Sequence, residues 1–132
     1  MVKTMSPDFE VKRTMISLEQ FPVLAVDATL KTALDKMTLF GIGIACFVDG
    51  NFQLKGVLTD GDLRRLILTR QNPLPALLIS RALEFGTTSP VTAGELEPVA
   101  AIKEKFITKR VWDLPVTDES QRLLGLIHFH SL

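Results

Sequence analysis

The chain contains itself twice, and only twice. The octet Gly56 to Leu63 returns in altered form as Gly125-Leu126-Ile127-His128-Phe129-His130-Ser131-Leu132, 69 residues later. Pro22-Val23-Leu24-Ala25 returns as Pro90-Val91-Thr92-Ala93 at an offset of 68. Between these anchors Ala33-Leu34 aligns with Ala101-Ile102, and Val48-Asp49 with Thr117-Asp118. A period this long, present twice in 132 residues, rules out a solenoid array and calls for a pseudo-symmetric pair of small units. The one-residue change of offset places an insertion near the end of the first helix of a repeat.

The sharpest stretch is Gly56-Val57-Leu58-Thr59-Asp60-Gly61-Asp62-Leu63-Arg64-Arg65-Leu66-Ile67. Lys55 to Leu58 has the apolar, β-branched character of a strand. Thr59 or Asp60 then caps a helix whose apolar face is Leu63, Leu66 and Ile67. A helix start offers unpaired N–H groups and partial positive charge, which suit phosphate. The Thr59 hydroxyl and Asp62 carboxylate beside it suit the hydroxyls of a sugar. Plain helix capping by the same two residues is the competing reading.

In chain order, Met1 to Arg13 mixes charge without periodicity and reads as an arm or linker. Pro22 to Val26 is extended. Asp27 is the expected cap of a helix with apolar positions Leu30, Ala33, Leu34 and Met37, which Gly41-Ile42-Gly43 ends. Ile44 to Val48 reads as a strand, Asp49-Gly50-Asn51 as a hairpin turn, and Leu54 to Leu58 as the return strand. Gln71 to Pro75 marks the boundary between repeats, followed by a short helix capped by Ser80 and running through Leu83. In the second repeat a helix uses Val99, Ile102 and Phe106, with Lys103, Glu104 and Lys105 on its wet side. Val111 to Val116, a turn at Asp118-Glu119-Ser120, and Leu123 to His128 complete the pattern. The sequence stops where the first repeat starts its second helix, which suggests a fragment of a longer polypeptide. The expected division is residues 1–15 as an arm or linker, 16–71 as the first repeat, 72–89 as a linker with a short helix, and 90–132 as a second repeat lacking its last helix.

Composition narrows the function classes. Fifteen basic and fifteen acidic residues cancel, so no bulk field favours nucleic acid or an anionic membrane. Hydrophobic residues make up 46% of the chain, enough for a packed core. No apolar run reaches the length of a bilayer span, and no signal-peptide layout opens the chain. The single cysteine, Cys46, excludes an internal disulfide, reads as a small buried hydrophobe and fits a reducing compartment, with the cytoplasm expected. Asp60 and Asp62 invite a divalent-metal reading but are too few for a protein-only site. His128 and His130 likewise offer only two zinc ligands, and a surface or capping role is the alternative. No nucleophile–base constellation is suggested by spacing, so the expectation is no catalytic residue and no metal.

These motifs resemble a tandem pair of CBS domains, a Bateman module, from about Ile16 to Leu132. The strand-Gly-x-x-Thr-x-x-Asp-Leu corner at Gly56 to Leu63 is the signature that carries the likeness. The longer string Thr59-Asp60-Gly61-Asp62-Leu63-Arg64-Arg65, with His128-Phe129-His130 closing the second repeat, is similar to the C-terminal CBS pair of arabinose-5-phosphate isomerases, which serve lipopolysaccharide-sugar synthesis. The resemblance implies an α+β fold of two β-α-β-β-α repeats, each a three-stranded sheet with helices, packed through their sheets to leave two clefts. It implies a regulatory module without activity of its own, binding a nucleotide of AMP or ATP type or a CMP-sugar, requiring no cofactor, and controlling an attached isomerase domain. Asp62 becomes the ribose hook and Thr59 its companion beside Asp60. Val23, Leu24, Ile44 and Ala45 line the base pocket, and Arg65 or His128 meets phosphate; Arg64 and Arg65 on a solvated helix face is the alternative. In the second cleft His128 replaces the Thr and Ser131 the Asp, which removes the charged acceptor, so one dominant site is expected. Trp112 aligns with Gly43 and should crowd or stack there. The family also implies homodimers formed through helices. The rival reading is a structural or dimerisation module with no bound ligand.

Overall fold

A computed structural model describes residues 7–132. The elements in order are α1 (Pro7–Thr14), β1 (Val23–Ala25), α2 (Leu30–Phe40), β2 (Ile44–Val48), β3 (Leu54–Thr59), α3 (Asp60–Thr69), α4 (Leu74–Ile79), β4 (Ala93–Gly94), α5 (Val99–Lys109), β5 (Asp113–Thr117) and β6 (Leu123–His128). Single 3-10 turns lie at Leu18–Gln20, Ala82–Phe85 and Phe129–Ser131. They form two three-stranded sheets, ordered β1-β2-β3 and β4-β5-β6, in an α+β architecture. One compact unit is Glu19–Pro90; the other joins residues up to Leu18 with Val91–Leu132.

In the first unit, β1 runs parallel to β2, and β2 pairs antiparallel with β3 in the register Ile44 to Thr59 and Ala45 to Leu58. One face of this sheet joins a core of Leu30, Ala33, Met37, Ala45, Phe47, Leu58, Leu66 and Ala82. The expected helix face is therefore present, with Leu34 partly buried against the same core. Its cap lies two residues later than Asp27: the Thr29 hydroxyl accepts from the Thr32 N–H at 3.2 Å. Ala28 N–H is meanwhile held by the Ala25 carbonyl, so the chain is still turning when it passes Asp27. Gly41 ends α2 in the left-handed conformation, which releases it into β2.

The expected short helix lies earlier than Ser80. Pro73 starts α4 with φ of −57° and Pro75 sits in its first turn, where a missing N–H costs nothing. Ser80 is the C-terminal cap of α4, and only a 3-10 turn follows it.

The second unit repeats the plan with two differences. Its core gathers Ala93, Ile102, Phe106, Leu114, Val116 and Ile127, and adds Val11 from α1. The segment expected as an arm thus carries a helix whose Val11 is fully buried. Too few turns precede Thr14 for a helical period to be read. The second difference is Pro115, which stands at the position of Cys46. Cys46 N–H donates to the Pro22 carbonyl at 2.9 Å, a bond that proline has no hydrogen to make. Accordingly β4 spans two residues where β1 spans three.

Both hairpins close by one device. Asp49 Oδ1 accepts from the N–H groups of Asn51 (2.9 Å) and Gln53 (3.0 Å); Asp118 Oδ1 accepts from Ser120 (2.8 Å) and Arg122 (3.0 Å). The left-handed residue is Phe52 (φ 62°) in one turn and Gln121 (φ 66°) in the other, not the glycine of Asp49-Gly50-Asn51. The aspartate fixes the turn through its side chain, and the residue that falls in the left-handed slot follows from loop length.

The outer edges of β3 and β6 are closed by backbone from elsewhere in the same unit. Val57 exchanges two hydrogen bonds with Thr87 (2.9 and 2.8 Å), and Leu126 exchanges two with Ile16 (3.1 and 2.6 Å). Both contacts need a glycine next door. A Cβ on Gly56 would lie 2.6 Å from the Thr87 carbonyl oxygen, and one on Gly125 would lie 2.8 Å from that of Ile16.

We expect Gly56→Ala and Gly125→Ala each to cost about 1–3 kcal/mol through this overpacking. Gly50→Ala, with nothing within 4 Å of the new methyl, should change stability by less than about 0.5 kcal/mol. Urea melts of the three variants decide. A second expectation concerns acid. Hydrogen bonds from the backbone of Gln53 and of Arg122 hold the Asp49 and Asp118 carboxyls below their ordinary value of 3.8. Their contribution is complete above that value and is lost as pH falls below it. Melting curves from pH 5 to 2.5 should therefore fall less steeply for the Asp49→Asn/Asp118→Asn double variant.

Candidate functional site

The corner between β3 and α3 is built by backbone first. Thr59 pairs across the sheet with Ile44, and the Asp60 N–H donates to the Gly43 carbonyl at 3.1 Å. This ties the start of α3 to the turn before β2. Gly43 is open enough for the Asp60 carboxylate to lie over its Cα, where a Cβ would meet Asp60 Oδ2 at 2.5 Å.

Thr59 and Asp62 then form a reciprocal capping box. The Thr59 hydroxyl accepts from the Asp62 N–H at 3.3 Å. Asp62 Oδ2 accepts from the Thr59 N–H (2.9 Å) and from its hydroxyl (3.1 Å). The other oxygen, Oδ1, accepts from Arg65 Nη2. Asp62 is 5% exposed, whereas the Arg65 side chain is 63% exposed and folds back over Gly61. A buried carboxylate is thus kept satisfied by a backbone donor, a hydroxyl and one exposed guanidinium. Both readings of these residues coexist: they cap the helix, and they leave one carboxylate oxygen facing a group that solvent can reach.

Strand alternation sorts the remaining expected residues. Thr59, Ile44 and Val23 point to the sheet face opposite the helices. Leu24 and Ala45 point to the helix side, where Ala45 is a core residue and Leu24 packs against that core. Only the backbone of Leu24 and Ala45 can therefore serve a ligand at this corner. His128 belongs to the other unit, at the end of β6.

The second corner keeps the backbone and changes the chemistry. The Phe129 N–H donates to the Trp112 carbonyl at 2.8 Å, the counterpart of Asp60 on Gly43. The positions of Thr59 and Ile44 are taken by His128 and Asp113, which face each other in register and join through His128 Nδ1 and Asp113 Oδ1 at 2.8 Å. No side chain caps the short turn that follows. Where the Asp60 carboxylate covers Gly43, Phe129 meets Trp112 edge to face at 5.7 Å. Trp112 is 62% exposed and lies against His130, with ring centres 5.8 Å apart. It also borders an apolar groove of about 260 Å³ with Phe106, Ile107, Arg110, Val111 and Phe129. A second groove, of about 310 Å³, lies between Glu95–Glu97 and the Asp118 turn. Neither groove includes a residue of the Thr59–Asp62 corner. Asp113 was not among the expected site residues, yet counting back from the Asp118 turn places it opposite His128.

Among the described residues, no helix is long and apolar enough to cross a membrane. The family model for the CBS domain matches residues 10–69 and 82–132. The arabinose 5-phosphate isomerase KpsF of Escherichia coli is 30% identical over 106 residues, which are 80% of this chain and 31% of that protein. The chain spans well under half the length of the curated relatives it matches. Among solved structures, the CBS domain pair of protein MJ0100 in complex with 5′-methylthioadenosine and S-adenosyl-L-methionine has a TM-score of 0.76 at 20% identity, covering 92% of this chain and 90% of that one. The CBS domain protein PAE2072 from Pyrobaculum aerophilum complexed with AMP has a TM-score of 0.73 at 19% identity, covering 86% and 83%.

The two corners should respond differently to loss of a hydroxyl. Thr59→Ala removes a capping acceptor and should cost about 1 kcal/mol, while Thr59→Ser should retain most of it. Ser131→Ala, at the uncapped corner, should stay within about 0.5 kcal/mol of the parent. Equal losses in thermal melts of Thr59→Ala and Ser131→Ala would contradict the capping assignment.

Proposed function

The chain belongs to the CBS-domain family, and on that premise we propose that it is a regulatory module whose Thr59–Asp62 corner senses an adenosine-containing nucleotide. The observation that carries this is the Asp62 carboxylate, which is buried at a helix start and completed by an exposed arginine. The ligands named for the two structural neighbours, AMP and the methylthioadenosine and S-adenosylmethionine pair, share a ribose bearing adenine.

The geometry suggests how binding would work. Ribose hydroxyls take the place of the Arg65 guanidinium at Asp62 Oδ1, so the buried carboxylate is never left bare. The displaced guanidinium is then available to a phosphate close to the start of α3. Val23, half-buried on the same sheet face as Thr59, supplies apolar surface, whereas the expected Ile44 is buried and offers almost none; backbone near Leu24 and Ala45 supplies polar contacts to a base. A CMP-sugar offers the same ribose and phosphate and belongs in the same screen. We further propose that the module governs an attached sugar-phosphate isomerase domain in the cytoplasm, a reading supported by the likeness to KpsF. It assigns no catalytic role to the residues described here.

A second reading, a dimerisation module without ligand, draws on one observation. Ile67 and Leu68 on α3 are 76% and 77% exposed, an unusual placement for two adjacent apolar side chains.

Calorimetry with adenosine, AMP, ATP, S-adenosylmethionine and a CMP-sugar tests the proposal. We expect saturable binding by at least one ribonucleotide, and a loss of about 1.5–3 kcal/mol in Asp62→Ala. The 2′-deoxy analogue should bind the parent more weakly and Asp62→Ala no differently. Arg65→Ala should reduce AMP affinity but leave adenosine binding unchanged or tighter, because the carboxylate no longer has a competing partner. No binding by any of the five, together with a concentration-dependent dimer that Ile67→Asp/Leu68→Asp abolishes, would establish the second reading instead.

A further inference from the structure

The uncapped corner concentrates three groups that its counterpart lacks. Two imidazoles and a carboxylate, His128, His130 and Asp113, stand where the first repeat has Thr59, Gly61 and Ile44. The rings of His128 and His130 have centroids 5.2 Å apart, with planes tilted by 50°. Two imidazoles on one metal, at metal–nitrogen distances of about 2.0–2.1 Å, hold their ring centres about 4.5 Å apart at a right angle and about 5 Å apart at the tetrahedral angle. The observed spacing is therefore one that a shared ion can bridge.

The contact with Asp113 selects the nitrogen left for a metal. His128 Nδ1 is engaged by Asp113, which leaves Nε2 as the ligating nitrogen. A carboxylate on the far nitrogen of a histidine is the arrangement that fixes tautomer and ring direction in metal sites. The His130 ring is limited by Trp112 on its face and by Phe129 at its edge, 5.8 and 5.6 Å away. No described residue hydrogen-bonds to His128 Nε2 or to the His130 ring.

We propose that His128 and His130 form a two-histidine site for a late first-row transition-metal dication, with Asp113 as its positioning residue. Imidazole ligands select Ni²⁺, Cu²⁺ or Zn²⁺ over Mg²⁺ and Ca²⁺. No cluster of three or more His, Cys, Asp or Glu side chains among the described residues could hold a metal, so water completes the coordination shell. None of the site's three residues belongs to the Thr59–Asp62 corner.

Trp112 reports directly on this site. It is the only tryptophan, the chain has no tyrosine, and His130 lies on its ring. Titrating NiCl₂ into the full chain should quench its emission saturably, at one equivalent per chain, with reversal by EDTA and no response to MgCl₂. Calorimetry with NiCl₂ should show at least a tenfold loss of affinity in His128→Gln and in His130→Gln, and about a tenfold loss in Asp113→Asn. His130 is exposed, so circular dichroism should find the His130→Gln fold intact. Absence of saturable Ni²⁺ binding to the parent overturns the proposal. So does Ni²⁺ binding that persists unchanged in both histidine variants.

Discussion

One edge of each sheet is closed by a single borrowed residue. A three-stranded sheet this small leaves a bare edge of N–H and C=O groups, and an exposed edge invites pairing with another chain. Here Thr87 closes the edge of β3 and Ile16 closes that of β6, each by two backbone hydrogen bonds. The contact exists because Gly56 and Gly125 lack a side chain that would stand between the two backbones. The bridged residues Val57 and Leu126 lie two positions before Thr59 and His128, so edge closure also steadies the strand ends that carry the two corners.

From that shared frame the corners have diverged in matched pairs. The hydrogen bond from Asp60 to Gly43 and the one from Phe129 to Trp112 are the same bond in two settings. Around it, a carboxylate over a glycine has been exchanged for an aromatic ring against an indole. Isoleucine opposite threonine has been exchanged for aspartate opposite histidine. Each substitution is chemically intelligible only beside its partner, because a lone Asp113 in place of Ile44 would bury a carboxylate beside an apolar strand. The backbone tolerates both solutions since neither alters the register of the hairpin beneath it.

Much of this was legible in the sequence, and the omissions have physical causes. The repeat fixed the number of sheets and the order of their strands, and the apolar positions Leu30, Ala33 and Met37 were read with their faces correct. Caps were harder. Asp27 and Thr29 are both good capping residues, and the choice depends on a backbone bond from Ala28 to Ala25 that no local pattern announces. The Ser80 assignment failed for a related reason: two prolines that read as turn residues also suit a helix's first turn. At the first corner, spacing singled out Thr59 and Asp62, which the structure joins as a capping box. It could not tell that Leu24 and Ala45 turn to the core, since that requires the register between strands. Asp113 needed the repeat alignment and the hairpin count together.

The second unit is discontinuous, and this bears on the order in which the molecule assembles. The loop closed by Val57 and Thr87 is 30 residues long, whereas Ile16 and Leu126 are 110 residues apart. For flexible chains that difference adds about 1 kcal/mol of closure entropy. It shrinks if the intervening Glu19–Pro90 unit has already collapsed, because a folded body shortens the effective tether. Synthesis from the amino terminus imposes the same sequence, since α1 and Ile16 emerge first but must wait for β6. Closing the inner unit first is therefore the entropically cheaper order. In that order Val11 waits for the core that buries it and Ile16 for the strand it pairs with, a window in which chaperones or a neighbouring chain would find apolar surface to hold.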